Sequence, residues 1–217
     1  MPALYKILVV QLPQGLIREA NETANSIAAP DLRDTMIGMV KADNAVTLAD
    51  STGNPQEAMA LLWKSWLDHK LPPAQAKWNS PIRLFWEKKR DTLAFEWHRL
   101  ARRFPDDASV RYNTGLSLLN FNEYENAATN LRAATVSQGL PESVRGQAFK
   151  NLGLALMNNG QIAEAESPLR AALEQPQPDL RAYCLLSDVY KRTARPNEAA
   201  RAEASCPGRT SSDKTAQ

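Results

Sequence analysis

Two histidines, His69 and His98, and two cysteines, Cys184 and Cys206, are the residues best suited by type to metal ligation, proton transfer or redox work. Their spacing supports none of these. Neither histidine has a Cys, Asp or Glu at a metal-ligand spacing, so both read as helix-surface side chains. Two cysteines make no disulfide framework, and ordinary packing is expected of them, a bridge being the lesser alternative. No G-x-S-x-G, phosphate-cradling glycine loop or dinucleotide fingerprint occurs in the chain. The expectation is therefore a protein without catalytic residues, metal site or cofactor.

Side chains that recur at equal offsets suggest a different chemistry. Asn113 and Asn151 stand at equivalent places, as do Asn120 and Asn158. An asparagine amide both donates and accepts, which suits the N–H and C=O groups of an extended peptide backbone. Tyr112 and Gln147 accompany these amides, and Lys150, Arg181 and Arg192 add a positive bias toward acidic segments or a carboxylate.

The elements that would hold these residues form a repeat. NTGLSLLNFNEYENAATNLRAAT and NLGLALMNNGQIAEAESPLRAAL align on Gly115 and Gly153, placing Leu118, Ala127, Leu131 and Ala134 opposite Leu156, Ala165, Leu169 and Ala172. A third copy follows, with Ser187 in the glycine place and Leu186, Tyr190 and Ala199 keeping register. Small residues at such offsets let two antiparallel helices approach closely while larger ones fill the gaps beside them. Phe149 and Tyr183, each four residues before the Gly/Ser place, and Pro178 after the second copy complete a pattern that resembles the tetratricopeptide repeat family over about residues 108–206.

Arg111 stands where that family has a large aromatic residue, and Glu203 where it has an apolar one. The interval from the first to the second copy is 153 − 115 = 38 residues, which assigns SQGLPESV to a longer inter-repeat loop. The resemblance implies an all-α fold, a right-handed superhelical solenoid of antiparallel helix pairs, in which the first helix of each pair lines a concave groove. Tyr112, Asn113, Leu116 and Asn120 would line it from the first repeat. Gln147, Lys150, Asn151, Leu154 and Asn158 would do so from the second, and Arg181, Cys184, Asp188 and Arg192 from the third. Relatives that clamp the C-terminal carboxylate of heat-shock chaperones carry basic residues and asparagines at set places. Asn151 and Arg181 match that set, whereas Tyr112, Leu116 and Leu185 depart from it.

Upstream, DTLAFEWHRLARRFPDD places Leu93, Trp97, Leu100, Ala101 and Phe104 on one helical stripe ended by Pro105, like the second helix of a preceding pair. The stretch 81–90 reads as another helix started at Pro81, and GNPQEAMALLWKSWLDHKLPP as one stopped by Pro72-Pro73, with residues 31–50 as its partner. All five tryptophans lie between Trp63 and Trp97. They read as the packing of an N-terminal cap, with Trp78 and Trp86 as the candidates for a second interface. From Arg83 to Arg103 seven basic residues face three acidic ones, a balance of 7 − 3 = +4, which a solvated helix surface explains as well as nucleic acid does. The expected domains are an N-terminal arm at 1–29, a tryptophan-rich helical region at 30–105, three repeats at 106–206 and a disordered tail at 207–217.

The 217 residues, 43% of them hydrophobic, suffice for a continuous core, and a formal charge of +2 announces neither nucleic acid nor membrane. The start lacks a secretory pattern and no window is long enough to span a bilayer, so the cytoplasm is expected, or else the soluble part of an envelope-associated or exported protein. The functional expectation is a non-enzymatic adaptor that holds a partner peptide or helix in its groove, within an assembly or secretion-type complex such as bacterial proteins with these repeats often serve. Self-association fits the tryptophan block. The alternatives are a structural subunit docked through the tryptophan region and, less favoured, a nucleic-acid regulator using residues 83–103.

Overall fold

A computed structural model describes residues 52–67 and 81–208, together with positions 22, 25, 26 and 49. Eight helices and no strand occur among these residues. The chain divides into two units, Met1–Phe104 and Pro105–Gln217. Expectations for residues 1–21, for the helix at 31–50, for Trp78 and for the tail beyond Gly208 lie outside the described residues.

In the first unit α1 spans Pro55–Leu67 and α2 spans Pro81–Arg103. Asn54 caps α1, its Oδ1 accepting from the Gln56 N–H at 3.0 Å, while Pro55 takes the first turn where its missing N–H costs nothing. The two helices read from the sequence at 81–90 and from residue 91 onward are one helix of 23 residues. No Gly or Pro stands between Pro81 and Pro105 to break the ladder, so the two stretches merge. Leu93, Trp97, Leu100 and Ala101 are buried as one stripe. The Trp63 ring packs at 5.4 Å and 58° against that of Trp97, the tilted arrangement aromatic pairs favour.

The second unit holds three helix pairs: α3 (Ala108–Asn120) with α4 (Tyr124–Val136), α5 (Glu142–Asn158) with α6 (Glu166–Leu173), and α7 (Ala182–Arg192) with α8 (Pro196–Ala204). Each helix packs on the next in sequence, and α5 also touches α3 and α7. This is the helical solenoid expected. A Cβ added at Gly115 would lie 2.6 Å from Leu131 Cγ, and one at Gly153 would come closer still to Leu169 Cγ, so glycine is what admits the leucine of the second helix.

The turn within each pair is written in the backbone. Asn122, Gly160 and Ala194, each seven residues after the Gly/Ser place, have φ of 64°, 82° and 58°. The next N–H donates back to the same register position: Glu123 to Leu118 at 2.9 Å, Gln161 to Leu156 at 2.9 Å and Arg195 to Tyr190 at 2.8 Å. These are three copies of one left-handed helix cap.

The departures from the repeat pattern each find a physical resolution. Arg111, in place of an aromatic ring, reaches from α3 to Asn130 Oδ1 of α4 at 3.0 Å and to the Pro105 carbonyl at 2.8 Å. Glu203, in place of an apolar residue, turns outward to Lys191 at 2.7 Å. The expected longer loop is corrected. Helix α5 begins 153 − 142 = 11 residues before its glycine and α3 begins 115 − 108 = 7 before its own, so the four extra residues form a helical turn instead. Arg145 of that turn ties down the short loop, donating to the Leu140 carbonyl at 2.8 Å and the Ser137 carbonyl at 3.3 Å.

Candidate partner-binding face

The first helices of the three pairs, α3, α5 and α7, carry all the residues expected to line a groove except Arg181, which directly precedes α7. Tyr112, three residues before Gly115, donates from its hydroxyl to Gln147 Oε1 of α5 at 3.0 Å. One repeat along, the same place is Lys150, whose Nζ lies 3.4 Å from Asp179 Oδ2 in the segment entering α7. Asp179 also receives Arg181, with Nε 2.9 Å from Oδ1 and Nη2 2.8 Å from Oδ2, while the Arg181 backbone N–H donates to Oδ1 at 3.1 Å. One carboxylate thus faces two cations.

The segment carrying Asp179 lies hard against α5. A Cβ on Gly146 would sit 2.5 Å from the Gln177 carbonyl and 3.1 Å from the Asp179 nitrogen, so only glycine allows this approach. Burial acts to raise the Asp179 carboxyl, but the Arg181 hydrogen bonds and the Lys150 charge outweigh it and hold the group below its usual value. Burial pushes the Lys150 ammonium down, opposed by Asp179 and assisted by Arg181. Burial likewise raises the Tyr112 hydroxyl, with Asp179 adding to the effect. The balance is 2 − 1 = +1 at a half-buried spot, so Lys150 is an ammonium short of water and short of a full counter-charge.

The amide rows are less uniform than the spacing suggested. Asn113 is half-buried and its Nδ2 donates to the Ser109 carbonyl of its own helix at 2.8 Å, whereas Asn151 is buried. Asn120 and Asn158 are exposed at the C-terminal ends of α3 and α5, and Arg192 is exposed at the end of α7. The structure therefore brings together Tyr112 with Gln147 and, through Asp179, Lys150 with Arg181. Trp86 lies on α2, its side chain outside the described residues. In the basic stretch Glu96 is fully buried and takes Arg99 at 3.0 Å, while Arg90 lies 3.6 Å from Asp91.

Two features were missed in the sequence. Asp179 was hidden in a proline-flanked connector, where an acid ordinarily reads as a turn residue. Cys184 and Cys206 form a disulfide, correcting the expectation of ordinary packing. By register Cys184 occupies the place of Tyr112 and Lys150 on the first helix of its pair, and Cys206, just beyond the second, that of Ala134 and Ala172.

A family model described as tetratricopeptide repeat matches residues 94–141 and, overlapping these, 112–181. Residues 94–181 carry the tetratricopeptide repeat pattern. The first match begins inside α2, and the second ends at Arg181, before α7. Tetratricopeptide repeats are protein-interaction modules, so a scaffold for other proteins is the general function of this chain. A solved structure titled MamA MSR-1 C2 is similar at 16% identity and TM-score 0.47, over 92% of this chain and 90% of that one. Two structures of a MamA mutant are similar at 18% and 20% identity, with TM-scores of 0.48 and 0.47, over 79% and 78% of this chain and 96% and 90% of theirs. No curated protein matches the sequence. No helix among the described residues is long and apolar enough to cross a membrane.

Proposed function

We propose that the face built by α3, α5 and α7 holds an extended, acidic segment of a partner protein, and that the chain serves as an adaptor in a larger assembly rather than as an enzyme. The observation that carries this reading is the sharing of Asp179 by Lys150 and Arg181. A partner carboxylate arriving here meets two cations of which only one is balanced, and Lys150 is already stripped of most of its water. Gln147 is exposed beside them and supplies an amide to the segment's backbone, as Asn158 does at the far end of α5. Asn113, Asn120, Asn151, Tyr112 and Arg192 belong to the same proposed face, with Tyr112 and the buried Asn151 shaping it from beneath.

The test compares the proteins retained from native cell extract by the tagged chain and by a Lys150→Ala/Arg181→Ala variant whose helicity is verified by circular dichroism. A partner is expected on the wild type, lost with the variant, and displaced by a peptide copied from that partner's acidic segment. A partner held equally by both chains moves the binding surface elsewhere on the molecule.

A further inference from the structure

The third helix pair is held together differently from the other two. Its second helix, α8, is nine residues long and buries Ala199 and Ala202. Where α4 and α6 insert Leu131 and Leu169, α8 has Glu203, which faces Lys191 at the surface. Where α3 and α5 have glycine, α7 has Ser187, whose hydroxyl is buried with no hydrogen-bond partner. Both changes weaken the packing of α8 on α7 relative to the pairs before it. The start of α8 is anchored by Arg195, which binds Glu166 of α6 and Glu198. At its other end the connection is covalent: Cys184 of α7 is bonded to Cys206, with Cα atoms 4.8 Å apart.

We infer that Cys184–Cys206 is a redox-governed clasp on the last helix pair. With the bond formed, α8 stays across α7 and the third pair is closed; with it broken, the C-terminal half of α8 leaves α7. Closing takes two protons and two electrons from the two thiols and delivers them to a protein or small-molecule disulfide, which departs as two thiols. A dithiol reductant runs the same exchange in reverse, ending as a disulfide itself. A chain that works closed belongs where disulfides persist, in an oxidising compartment rather than the expected cytoplasm. Cys184 stands in the register place of Lys150, three residues after Arg181, so the clasp ties Cys206 to the helix that Arg181 directly precedes.

Hydrogen exchange read by mass spectrometry, with and without a dithiol reductant, tests the clasp on the wild-type chain. Amides of residues 199–205 are expected to exchange about tenfold faster or more after reduction, with α3 to α6 unchanged. A Cys184→Ala/Cys206→Ala variant should match the reduced chain, and adding Ser187→Gly and Glu203→Leu to it together should restore slow exchange by returning the glycine–leucine contact of the first two pairs. Exchange of α8 that ignores reduction, or acceleration spread evenly over the second unit, overturns the inference. So does alkylation of the denatured chain taken directly from its native cells, if two thiols react before any reductant is added.

Discussion

Lys150 Nζ lies 3.4 Å from Asp179 Oδ2, with the two side chains only 12% and 9% exposed. Asp179→Asn keeps the shape of that contact and withdraws the charge facing both Lys150 and Arg181. Stability is expected to fall by about 1–2 kcal/mol, read from the urea midpoint. Binding of an acidic partner should strengthen in the same variant, since its carboxylate no longer competes with an internal one. Titration calorimetry showing weaker binding would remove Asp179 from the role of competitor.

Acid should weaken the second unit through two carboxyls. Asp179 is held low against its own burial by Arg181 and Lys150, and Glu166 is held low chiefly by the Arg195 hydrogen bond. A folded pKa below the unfolded one means the unfolded chain binds more protons between the two values. The stabilisation is therefore complete above the unfolded values, near 4, and disappears as pH falls through the lower folded ones. The midpoint of urea unfolding should decline with pH below about 4.5, and less steeply in Asp179→Asn and Glu166→Gln. Parallel curves for all three chains would contradict this assignment.

Gly146 should tolerate no side chain. A Cβ there meets the Gln177 carbonyl at 2.5 Å, and backbone yields less readily than the end of a side chain. Gly146→Ala is expected to cost about 1–3 kcal/mol and to weaken partner binding by displacing Asp179 and Arg181. At Gly139 the nearest atom to an added Cβ is 3.7 Å away, so Gly139→Ala is the neutral control in the same thermal melts.

The left-handed caps predict opposite effects at equivalent positions. Ala194 holds a φ of 58° without glycine's freedom, so Ala194→Gly should stabilise by about 0.5–1 kcal/mol. Gly160, at 82°, should lose about 1–2 kcal/mol on changing to alanine. Equal shifts of Tm in one direction would show that helix fraying, not backbone conformation, governs these turns.

The helix pairs were legible because small residues at fixed offsets have one physical use, and Gly115 and Gly153 do admit Leu131 and Leu169. Amphipathic stripes likewise marked Leu93, Trp97 and Leu100 as core. Boundaries were less legible: nothing at Arg90–Asp91 stops a helix, yet the stretches before and after it read as two. The candidate face was legible by row and not by contact. Equivalent positions place Tyr112, Lys150 and Cys184 along one line, but what each touches depends on the connector before the next helix, and Asp179 enters from there. The surroundings of the amide row were illegible for the same reason, since burial at Asn151 and a bond to its own helix at Asn113 are set by neighbours the repeat does not encode.

The bonds from Glu123 to Leu118, Gln161 to Leu156 and Arg195 to Tyr190 use main-chain atoms only. The side chains around these three turns, FNEYEN, NGQIAE and TARPNE, consequently differ almost completely while the path of the chain does not. Architecture and surface chemistry are thereby uncoupled at these corners. The bend asks only for a left-handed position, and the pairing of Arg195 with Glu166 and Glu198 at the third corner is laid over it, so a whole pair can be duplicated without redesigning the bend that joins its helices.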